Sequence, residues 1–596
     1  MSLRSRAATL LYSSRAPLAC LVLIGTVVLP QAAPAEAATL TVPTSPGCAT
    51  ITECVQATAS PGDTIRIRPG TYFERLIDVS DAGLKVTGTD CGKPDRVVID
   101  GGPPPPSSGP GENIFNVHAP GFRIECLTLR HGIVAINGDA DADDLRVKKV
   151  HFTSQDENGV QLDEGSIGYS IEKSSFHGIK NSAVLATVDS GRISDNVVTL
   201  SGRGCLELGS NDLTVRGNTL RLCEDGPAVD TSDNGGSSDS LFEKNVVADS
   251  QGCFDLVGDR NDLLDNRCSN AGSAQPDDAY HVAGTDAVLR RNTSVGAEDN
   301  GFVVVGADAV IEDNRALGSG EGGFQITGDD AVVRRNRAEN SLNRDDFRVD
   351  GANAIIEDNR GIGGLGGIEV NGANPVVRRN RMERSKDEPG VRVACSTDCT
   401  AGIVEDNVVL GASEDADGIF ISNLGNPSAG FLVEGNRVQD ATDDGFDINL
   451  SDATIRRNKA HRNSSQSEHN FRITGNGNQI EANESTFSGT DGFIINGNNN
   501  TVIRNLARDN AVDGIDIQSG DGNVVELNTT RNNQAEGIEN SAAVTNTDLI
   551  RNASRGNRID CANDGGTDTV TLNTCADGSD FATPSGGVGT ERFPED

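Results

Sequence analysis

An apolar residue followed three positions later by asparagine recurs along most of this chain, and the recurrence limits the folds open to it. Most intervals between these asparagines are 21 to 25 residues, and the few longer ones contain extra loop residues. A unit of that size cannot bury an apolar face alone, so the units must stack. The repeated asparagines are Asn196, Asn218, Asn245, Asn266, Asn292, Asn314, Asn336, Asn359, Asn380, Asn407, Asn436, Asn458, Asn483, Asn505, Asn528 and Asn552.

A second motif follows most of these asparagines by about ten residues. It reads Gly-Phe or Gly-Ile, then any residue, then an aliphatic one, as in "GFVVVG" from Gly301 and "GIDIQ" from Gly514. Both motifs alternate apolar and polar residues as short strands do, and Gly, Asn and Asp separate them. The sequence therefore predicts an all-β fold, a single-stranded right-handed parallel β-helix (a solenoid) of about twenty coils, stacked ~4.8 Å apart.

The repeated asparagine suits one corner of each coil. Asn adopts the left-handed backbone conformation more readily than other non-glycine residues. Stacked side-chain amides can also bond to one another from coil to coil, which satisfies polar groups inside the column. We therefore expect one column of asparagine side chains along the solenoid.

The charge of the residue before the asparagine inverts from coil to coil. Like charges stacked ~5 Å apart repel, and opposite charges attract. The inversion therefore predicts a structural ladder rather than a recognition surface. The alternating residues are Lys244, Asp265, Arg291, Asp313, Arg335, Asp358, Arg379 and Asp406.

The segment "PGDTIRIRPGTYFERL", Pro61 to Leu76, resembles the opening coil of the pectin-lyase-like right-handed β-helix superfamily, and the residues from Thr64 to Asn552 resemble its repeats. The resemblance implies the fold more than the function, because that fold hosts lyases, hydrolases, esterases, epimerases and non-catalytic proteins. Before this segment, Ala49 to Ser60 predicts a short amphipathic capping helix that covers the open edge of the first coil.

Four segments are expected along the chain. Residues 1–37 are typical of a signal peptide: Arg4 and Arg6 are basic, Leu18–Leu29 is a short apolar run, and Ala35-Glu36-Ala37 is a cleavage site. An uncleaved anchor is the alternative. Residues 38–63 are expected to form an N-terminal cap, 64–558 the β-helix, and 559–596 a C-terminal cap with a mobile tail.

Twelve of the 13 cysteines follow the predicted signal peptide. An even number of cysteines in a secreted chain indicates disulfides. The expected partners are the close pairs Cys48/Cys54, Cys395/Cys399 and Cys561/Cys575. Together these features predict a secreted protein, extracellular or on the cell surface.

The formal net charge of −37 limits the partners of the protein. A field of that sign repels nucleic acid and anionic membrane surfaces. It also repels acidic polysaccharides unless a cation bridges them. We therefore expect no nucleic-acid partner and, after signal cleavage, no stable membrane span.

Catalytic signatures of the superfamily are incomplete in this sequence. The "QPDDAYHV" segment holds the acid pair Asp277-Asp278, but no histidine follows a glycine, as polygalacturonases require. Trp is absent and Tyr is scarce, although sugar clefts usually stack aromatic rings against pyranose faces. Whether the protein is an enzyme is left open; if it is, a polysaccharide lyase or glycoside hydrolase is expected.

Two outward-facing patches are candidates for function. The first is Arg348, Glu369 and Arg392 on adjacent coils, which would bind substrate. The competing explanation is one more ladder of alternating charge, which we favour on general grounds.

The second patch is a set of acids in "DGID" and "EGIE", with no base between them: Asp513, Asp516, Glu536 and Glu539. The motif "DGFD", Asp444 to Asp447, repeats the pattern upstream. Four clustered carboxylates predict either shared protons or a bound cation, and calcium suits hard oxygen ligands in loose geometry. If the protein is an enzyme, Asp516 and Glu539 are the catalytic pair, at roughly the 5 Å separation of a retaining glycosidase. A solvated acidic face is the alternative.

Three functions agree with these features. We favour a secreted or cell-surface β-helix protein that binds polysaccharide or cell-envelope glycan, with processing of that glycan left open. The alternatives are a non-catalytic adhesive scaffold, and a lyase or hydrolase.

Overall fold

The computed structural model describes residues 37–102, 112–272, 277–395, 399–423, 429–463, 468–563 and 569–577. Almost all of its regular structure is short parallel strands, each paired with the strand of the next coil. The coils stack into a solenoid of about 22 turns, so the predicted fold is confirmed. Residues Ala38–Asp596 form one compact unit; a second, Met1–Ala37, lies outside the described residues except for Ala37. The predicted signal peptide falls there, and most of the predicted mobile tail lies beyond residue 577.

Each coil contains up to three strands, which are called its first, second and third strands in chain order. The first strands precede the asparagine corner. They are Thr39–Val42, Thr64–Ile67, Lys85–Gly88, Arg123–Gly132, Leu145–Gln155, Tyr169–Glu172, Gly191–Ser194, Thr214–Arg216, Leu241–Glu243, Asp262–Leu264, Val288–Arg290, Val310–Glu312, Val332–Arg334, Ile355–Glu357, Val376–Arg378, Ile403–Glu405, Leu432–Glu434, Thr454–Arg456, Gln479–Glu481, Thr501–Ile503, Val524–Glu526, Asp548–Ile550 and Thr569–Thr571.

The second strands follow the asparagine, and in Arg123–Gly132 and Leu145–Gln155 they continue the first strand without a break. The others are Gly70–Phe73, Val97–Asp100, Ser175–Ile179, Val197–Ser201, Thr219–Cys223, Val246–Ala248, Arg267–Ser269, Thr293–Val295, Arg315–Leu317, Arg337–Glu339, Arg360–Ile362, Arg381–Glu383, Val408–Leu410, Arg437–Gln439, Lys459–His461, Glu484–Thr486, Leu506–Arg508, Thr529–Arg531, Ala553–Arg555 and Thr574–Cys575.

The third strands carry the Gly-Phe or Gly-Ile motif. They are Ile77–Val79, Phe115–Val117, Ile136–Gly138, Val160–Leu162, Val184–Ala186, Leu206–Leu208, Val229–Asp230, Phe254–Val257, Tyr280–Ala283, Phe302–Val305, Phe324–Thr327, Phe347–Asp350, Ile368–Asn371, Val391–Cys395, Ile419–Asn423, Phe446–Asn449, Phe471–Thr474, Phe493–Asn496, Ile515–Asp521, Glu536–Asn540 and Ile559–Asn563; Val544–Thr545 is a short extra strand.

The predicted capping helix is present as two short helical turns, Ile51–Glu53 and Cys54–Thr58. Pro94–Arg96 is a further single turn of 3₁₀ helix. In the described part of the chain, none of the helices has the length and apolarity to cross a membrane.

The asparagine column is confirmed. Asn314 donates from its side chain to Asn336 Oδ1 over 3.1 Å and to the Leu289 carbonyl over 2.8 Å. The same bonds repeat from Asn196 onward and extend beyond the predicted column to Asn573. From Asn196 to Asn552 the side chains are buried, so this part of the ladder satisfies polar groups that no water reaches.

One detail of that expectation is wrong. The left-handed residue at this corner is the charged residue before the asparagine, with φ of 57° at Asp313 and 54° at Arg335. The asparagine itself remains outside the left-handed region, because its backbone N–H must also donate to the asparagine Oδ1 of the next coil.

Two stacks of aromatic rings fill the inside of the third strands. The first runs from Phe254 through Tyr280 to Phe347, with neighbouring ring centroids 4.6–5.1 Å apart. The second joins Phe446 to Phe493 through one intervening ring. Aliphatic side chains occupy the same inward position between the stacks, at Ile368, Val391 and Ile419.

Six disulfides link the described cysteines. Cys48–Cys54, Cys395–Cys399 and Cys561–Cys575 confirm the three expected pairs. Three further bonds join Cys91 to Cys126, Cys205 to Cys223 and Cys253 to Cys268. Disulfides persist in oxidising compartments, so they indicate an extracellular or periplasmic location.

Candidate functional site

The outer face of the third strands brings both predicted patches onto one wall of the solenoid. Each third strand alternates inward apolar and outward polar residues, so one central residue per coil points outward. Strand register places these residues in a single row: Arg348, Glu369, Arg392, Phe420, Asp447, Arg472, Ile494, Asp516 and Glu539.

The three residues of the first patch are neighbours in this row. Arg348 Nη1 lies 3.0 Å from Glu369 Oε2, and its Nε donates to Asp350 over 3.0 Å. Arg392 instead donates to Glu388 over 3.2 Å. Arg348 thus pairs with Glu369 of the next coil, whereas the ion pair of Arg392 lies within its own coil.

Phe420 is a residue of this row that sequence reasoning missed. The Arg392 guanidinium carbon lies 5.6 Å from the centroid of its ring, within cation–π range. The side chain is half-buried and outward, unlike the fully buried phenylalanines of the two stacks. Its "GIF" motif matches the repeat, so the alternation of inward and outward residues could have revealed it.

Asp345 is a second missed residue of the first patch. Burial, and then the negative charge of Glu369, raise the pKa of its carboxyl above the usual range. It fits between coils because Gly366 has no side chain: a Cβ there would overlap Asp345 Oδ1 and lie 2.9 Å from Glu388 Cβ. The first patch is therefore a mixed cluster of charges in which burial and Glu369 together raise the pKa of one carboxyl, that of Asp345.

The second patch is assembled largely as the sequence predicts. Strand register sets Asp516 beside Glu539. Carboxylate oxygens of Asp513, Glu536 and Glu539 all lie within 4.8 Å of one another, a spacing that a single cation can span. Asp516 stands beside this trio and accepts a hydrogen bond from the Ser541 hydroxyl over 3.2 Å.

The acidic surface extends upstream to the "DGFD" motif noted in the sequence and beyond it. Two further groups with metal-ligand spacing lie upstream, one formed by Asp417, Asp443 and Asp444, the other by Asp444, Glu468 and His469. We call the whole surface the acid band. Its carboxylates are Asp417, Asp443, Asp444, Asp447, Glu468, Asp491, Asp513, Asp516, Glu536 and Glu539.

A hydrogen-bonded column runs through the acid band at the turn before each third strand. The Asp444 N–H donates to Asp417 Oδ1 over 3.1 Å, and the His469 N–H donates to Asp444 Oδ1 over 2.6 Å. The pattern resumes where the Asp513 N–H donates to Asp491 Oδ1 over 2.8 Å.

The column continues at its C-terminal end, where the Glu536 N–H donates to Asp513 Oδ1 over 2.6 Å. His469 bridges its two halves, with Nδ1 3.2 Å from Asp491 Oδ2. Backbone N–H groups thus fix one carboxylate oxygen of each acceptor in this column and set these carboxylates in a regular line. The acceptors are Asp417, Asp444, Asp491 and Asp513.

Burial and mutual repulsion act against ionisation of the acid band. Burial, and then the charge of Asp443, raise the pKa of Asp417 to about 9. Burial, and then Glu539, raise the pKa of Asp516 to about 7. Burial likewise raises the pKa of Asp444 and, with a hydrogen bond to Glu536, that of Asp513. Ionisation of these carboxyls is therefore opposed near neutral pH, and a cation bound among them would favour it.

The acids of the "QPDDAYHV" segment also lie on this wall, farther toward the N-terminus. His281 Nδ1 lies 2.8 Å from Asp255 Oδ1 on the adjacent strand. Asp278 precedes the same strand and accepts from the Asn300 backbone N–H over 3.0 Å. The coils of the first patch separate the pair of Asp255 and His281 from the acid band.

Comparison with known proteins gives a family match and several distant structures. The family model described as "Right handed beta helix region" matches residues 131–275, 278–429 and 415–576. None of the curated proteins matches the chain.

Three similar solved structures are a mannuronan epimerase, an alginate lyase and a mannuronic acid specific lyase. The A-module of the mannuronan C-5 epimerase AlgE6 from Azotobacter vinelandii is 13% identical, covers 86% of this chain and 91% of its own, and has a TM-score of 0.24. The family PL6 alginate lyase AlyGC is 11% identical, with 92% and 100% covered and a TM-score of 0.32. A mannuronic acid specific family 6 lyase from human gut microbiota is 13% identical, with 75% and 86% covered and a TM-score of 0.27.

The segments that match the family model make up most of the chain and coincide with the stacked coils. The chain therefore belongs to the right-handed β-helix family, in agreement with the pectin-lyase-like resemblance of its repeats.

Proposed function

We propose that this protein is secreted and binds polysaccharide along the outer wall of its third strands, with calcium held by the acid band. The observation that supports the proposal is the column of carboxylates whose Oδ1 atoms accept backbone N–H groups of the next coil. Because those bonds fix each carboxylate in advance, a cation that spans two coils needs little rearrangement of its ligands.

The chemistry of the acid band suits calcium among the common cations. Ca²⁺ accepts about six to eight oxygen ligands at ~2.3–2.6 Å in irregular geometry. Neighbouring coils ~4.8 Å apart let one ion contact two carboxylates and keep open positions for water or for a ligand oxygen. Asp513, Glu536 and Glu539 supply one such site, with Asp516 beside it, and the two upstream groups around Asp444 supply others.

A bound cation also explains how an acidic protein meets an anionic glycan. A chain with a net charge of −37 repels carboxylated or sulfated polymers. Calcium on the wall would bridge the two anions, and the first patch adds Arg348 and Arg392 at the N-terminal end of the same wall. A polymer lying along the solenoid axis could contact both clusters.

Gel-shift assays with a polysaccharide panel test this function. Neutral, carboxylated and sulfated polymers would be cast in native gels, with calcium or with a chelator. We expect retardation by anionic polymers in calcium only, and loss of that retardation in Asp444→Asn/Asp513→Asn. The double variant Asp308→Asn/Asp330→Asn removes the same charge from turns outside the wall and should behave as wild type.

Retention of binding in chelator would contradict the role of calcium. Absence of retardation by every polymer in the panel would contradict the polysaccharide function itself, and would favour an adhesive scaffold.

Glycoside hydrolysis is a second candidate, favoured by the pair of Asp516 and Glu539. Asp516 has a pKa raised to about 7 by burial and by Glu539, so one acid can hold a proton while its neighbour is ionised. Such a pair performs general acid–base catalysis. New reducing ends in a polymer incubated with the protein, abolished by Asp516→Asn and by Glu539→Gln, would support it; a polymer left intact would exclude it.

A further inference from the structure

His469 gives the acid band a metal ligand of a second kind. Among the groups with metal-ligand spacing in the described part of the chain, the group of Asp444, Glu468 and His469 alone contains a histidine. One ligand atom from each of the three residues lies within 4.8 Å of the other two. Imidazole nitrogen favours zinc and similar transition metals, whereas oxygen ligands alone favour calcium. This group therefore differs in cation preference from the all-oxygen groups of the band.

Asp444 has a carboxylate oxygen left for a metal. Its side chain is 2% exposed, and its Oδ1 accepts the His469 backbone N–H over 2.6 Å. No hydrogen bond between described residues reaches its Oδ2, and Arg472 Nη1 lies 3.9 Å from that oxygen, beyond hydrogen-bond distance. A buried charged oxygen without a donor is costly, and a bound cation would remove that cost.

The ring of His469 is oriented as in many metal sites. Its Nδ1 lies 3.2 Å from Asp491 Oδ2 and 2.9 Å from the Thr490 hydroxyl. Because Nδ1 faces these two oxygens, Nε2 is the nitrogen left to bind a metal. A metal-bound histidine usually has its other ring nitrogen held by a carboxylate, which fixes both the tautomer and the orientation of the ring.

Asp444 belongs to two neighbouring groups of different composition. The other group contains Asp417 and Asp443, and all its ligand atoms are oxygens. The group with His469 takes Asp444 from one coil and Glu468 and His469 from the next, so an ion there would link two coils. Three protein ligands leave the fourth position of a tetrahedral zinc ion open to water or to a ligand oxygen.

We propose that Asp444, Glu468 and His469 bind Zn²⁺ in preference to calcium, with one coordination position open. The proposal rests on the role of the acid band as a cation site in the proposed function, and it assigns one group of the band a different cation. Calcium keeps the all-oxygen group of Asp513, Glu536 and Glu539.

Calorimetric titration with zinc chloride in an excess of calcium tests the site. His469→Gln removes the nitrogen ligand, and Glu468→Gln removes a carboxylate ligand without changing the histidine. His281→Gln is the matched control, because His281 Nδ1 also lies 2.8 Å from a carboxylate oxygen on the same wall, that of Asp255. None of the groups with metal-ligand spacing in the described residues contains His281.

We expect the wild type and His281→Gln to bind one zinc ion per chain that excess calcium does not displace. His469→Gln should lose this binding, and Glu468→Gln should weaken it roughly tenfold or more. Thermal melts in calcium should match the wild type for both variants, which separates loss of a ligand from loss of the fold.

An unchanged zinc affinity in His469→Gln would overturn the proposal, as would complete displacement of zinc by calcium in the wild type. If His469→Gln does not fold, an unchanged affinity in Glu468→Gln would overturn it instead. Because the titration contains no polysaccharide, its failure would exclude the zinc site alone, and failure of the gel-shift assay would exclude the polysaccharide function alone.

Discussion

Arg335 lies directly above Asp313 at the asparagine corner, and its Nε donates to Asp313 Oδ1 over 3.0 Å. The same contact joins Arg379 to Asp358 over 2.9 Å and Arg291 to Asp265 over 2.7 Å. The inversion of charge along the sequence is therefore a column of ion pairs between consecutive coils.

Reversal of one charge in this column should weaken the fold. Asp358→Arg would place three positive charges in a row with Arg335 and Arg379, on a backbone that arginine already adopts at the equivalent corner. We expect a loss of about 0.5–1 kcal/mol in the free energy of unfolding, smaller at high salt because the groups are exposed. Denaturant unfolding at two salt concentrations measures it, with Asp358→Asn as the control for loss of the negative charge alone. A loss that salt does not change would show that the side chain acts through packing.

Removal of one amide from the buried ladder should cost more. Asn336 accepts from the Asn314 backbone N–H over 2.8 Å and donates to the Ile311 carbonyl over 2.7 Å. Asn336→Ala leaves these groups buried without partners, and we expect a loss of about 3 kcal/mol. Asn573→Ala, at the half-buried C-terminal end of the same ladder, is the control and should cost far less. Equal losses for the two variants would contradict the explanation by burial.

Stability should fall as pH rises through the neutral range when calcium is absent. The pKa values of Asp417 and Asp516, about 9 and about 7, are raised above the usual value near 4. From the usual pKa up to its raised pKa, each of these carboxyls is largely protonated in the folded state and ionised in the unfolded state. The free energy of unfolding therefore decreases as pH rises through that window.

Thermal melts with calcium and with chelator measure this dependence. In chelator, the melting temperature should be lower at pH 8 than at pH 5. Calcium should restore it at pH 8 and have little effect at pH 5, where protons occupy the acid band. Asp516→Asn with Glu539→Gln should reduce the effect of calcium, and identical wild-type melts in calcium and chelator at pH 8 would exclude the cation.

The first patch depends on the missing side chain of Gly366. Gly366→Ala would force Asp345 away from Glu369 and Glu388, and we expect a loss of about 1–3 kcal/mol, as for other overpacked sites. Gly92→Ala is the matched control, since its nearest neighbour would lie 3.4 Å away. The double variant Gly366→Ala/Asp345→Ala should recover most of the loss in denaturant unfolding. A double variant no more stable than Gly366→Ala would place the clash elsewhere.

The periodic parts of this molecule could be predicted from the sequence because equivalent positions in each repeat carry the same type of residue. Asn314 and Asn336 occupy equivalent positions in motifs of equal length, so their stacking follows from the repeat alone. The repeat also predicts a left-handed residue at the correct corner, but it predicts Asn314 and the residue is Asp313. The asparagine stays outside that region because the ladder needs its backbone N–H.

Only the "DGFD" motif, Asp444 to Asp447, marks the upstream half of the acid band in the sequence. The column continues through Asp417 and His469, where insertions lengthen the coils and the residue type changes, so no repeated letter marks those positions.

The break between the two aromatic stacks has a mechanical consequence. Coils contact only their neighbours, so every interface bears the same tension along the axis. The weakest interface therefore separates first. The interfaces of Ile368, Val391 and Ile419 lack the stacked rings that join the coils on either side. Arg348 and Asp444 lie at the two margins of this segment, and a polymer anchored at both, as the proposed function requires, would bridge these interfaces from outside.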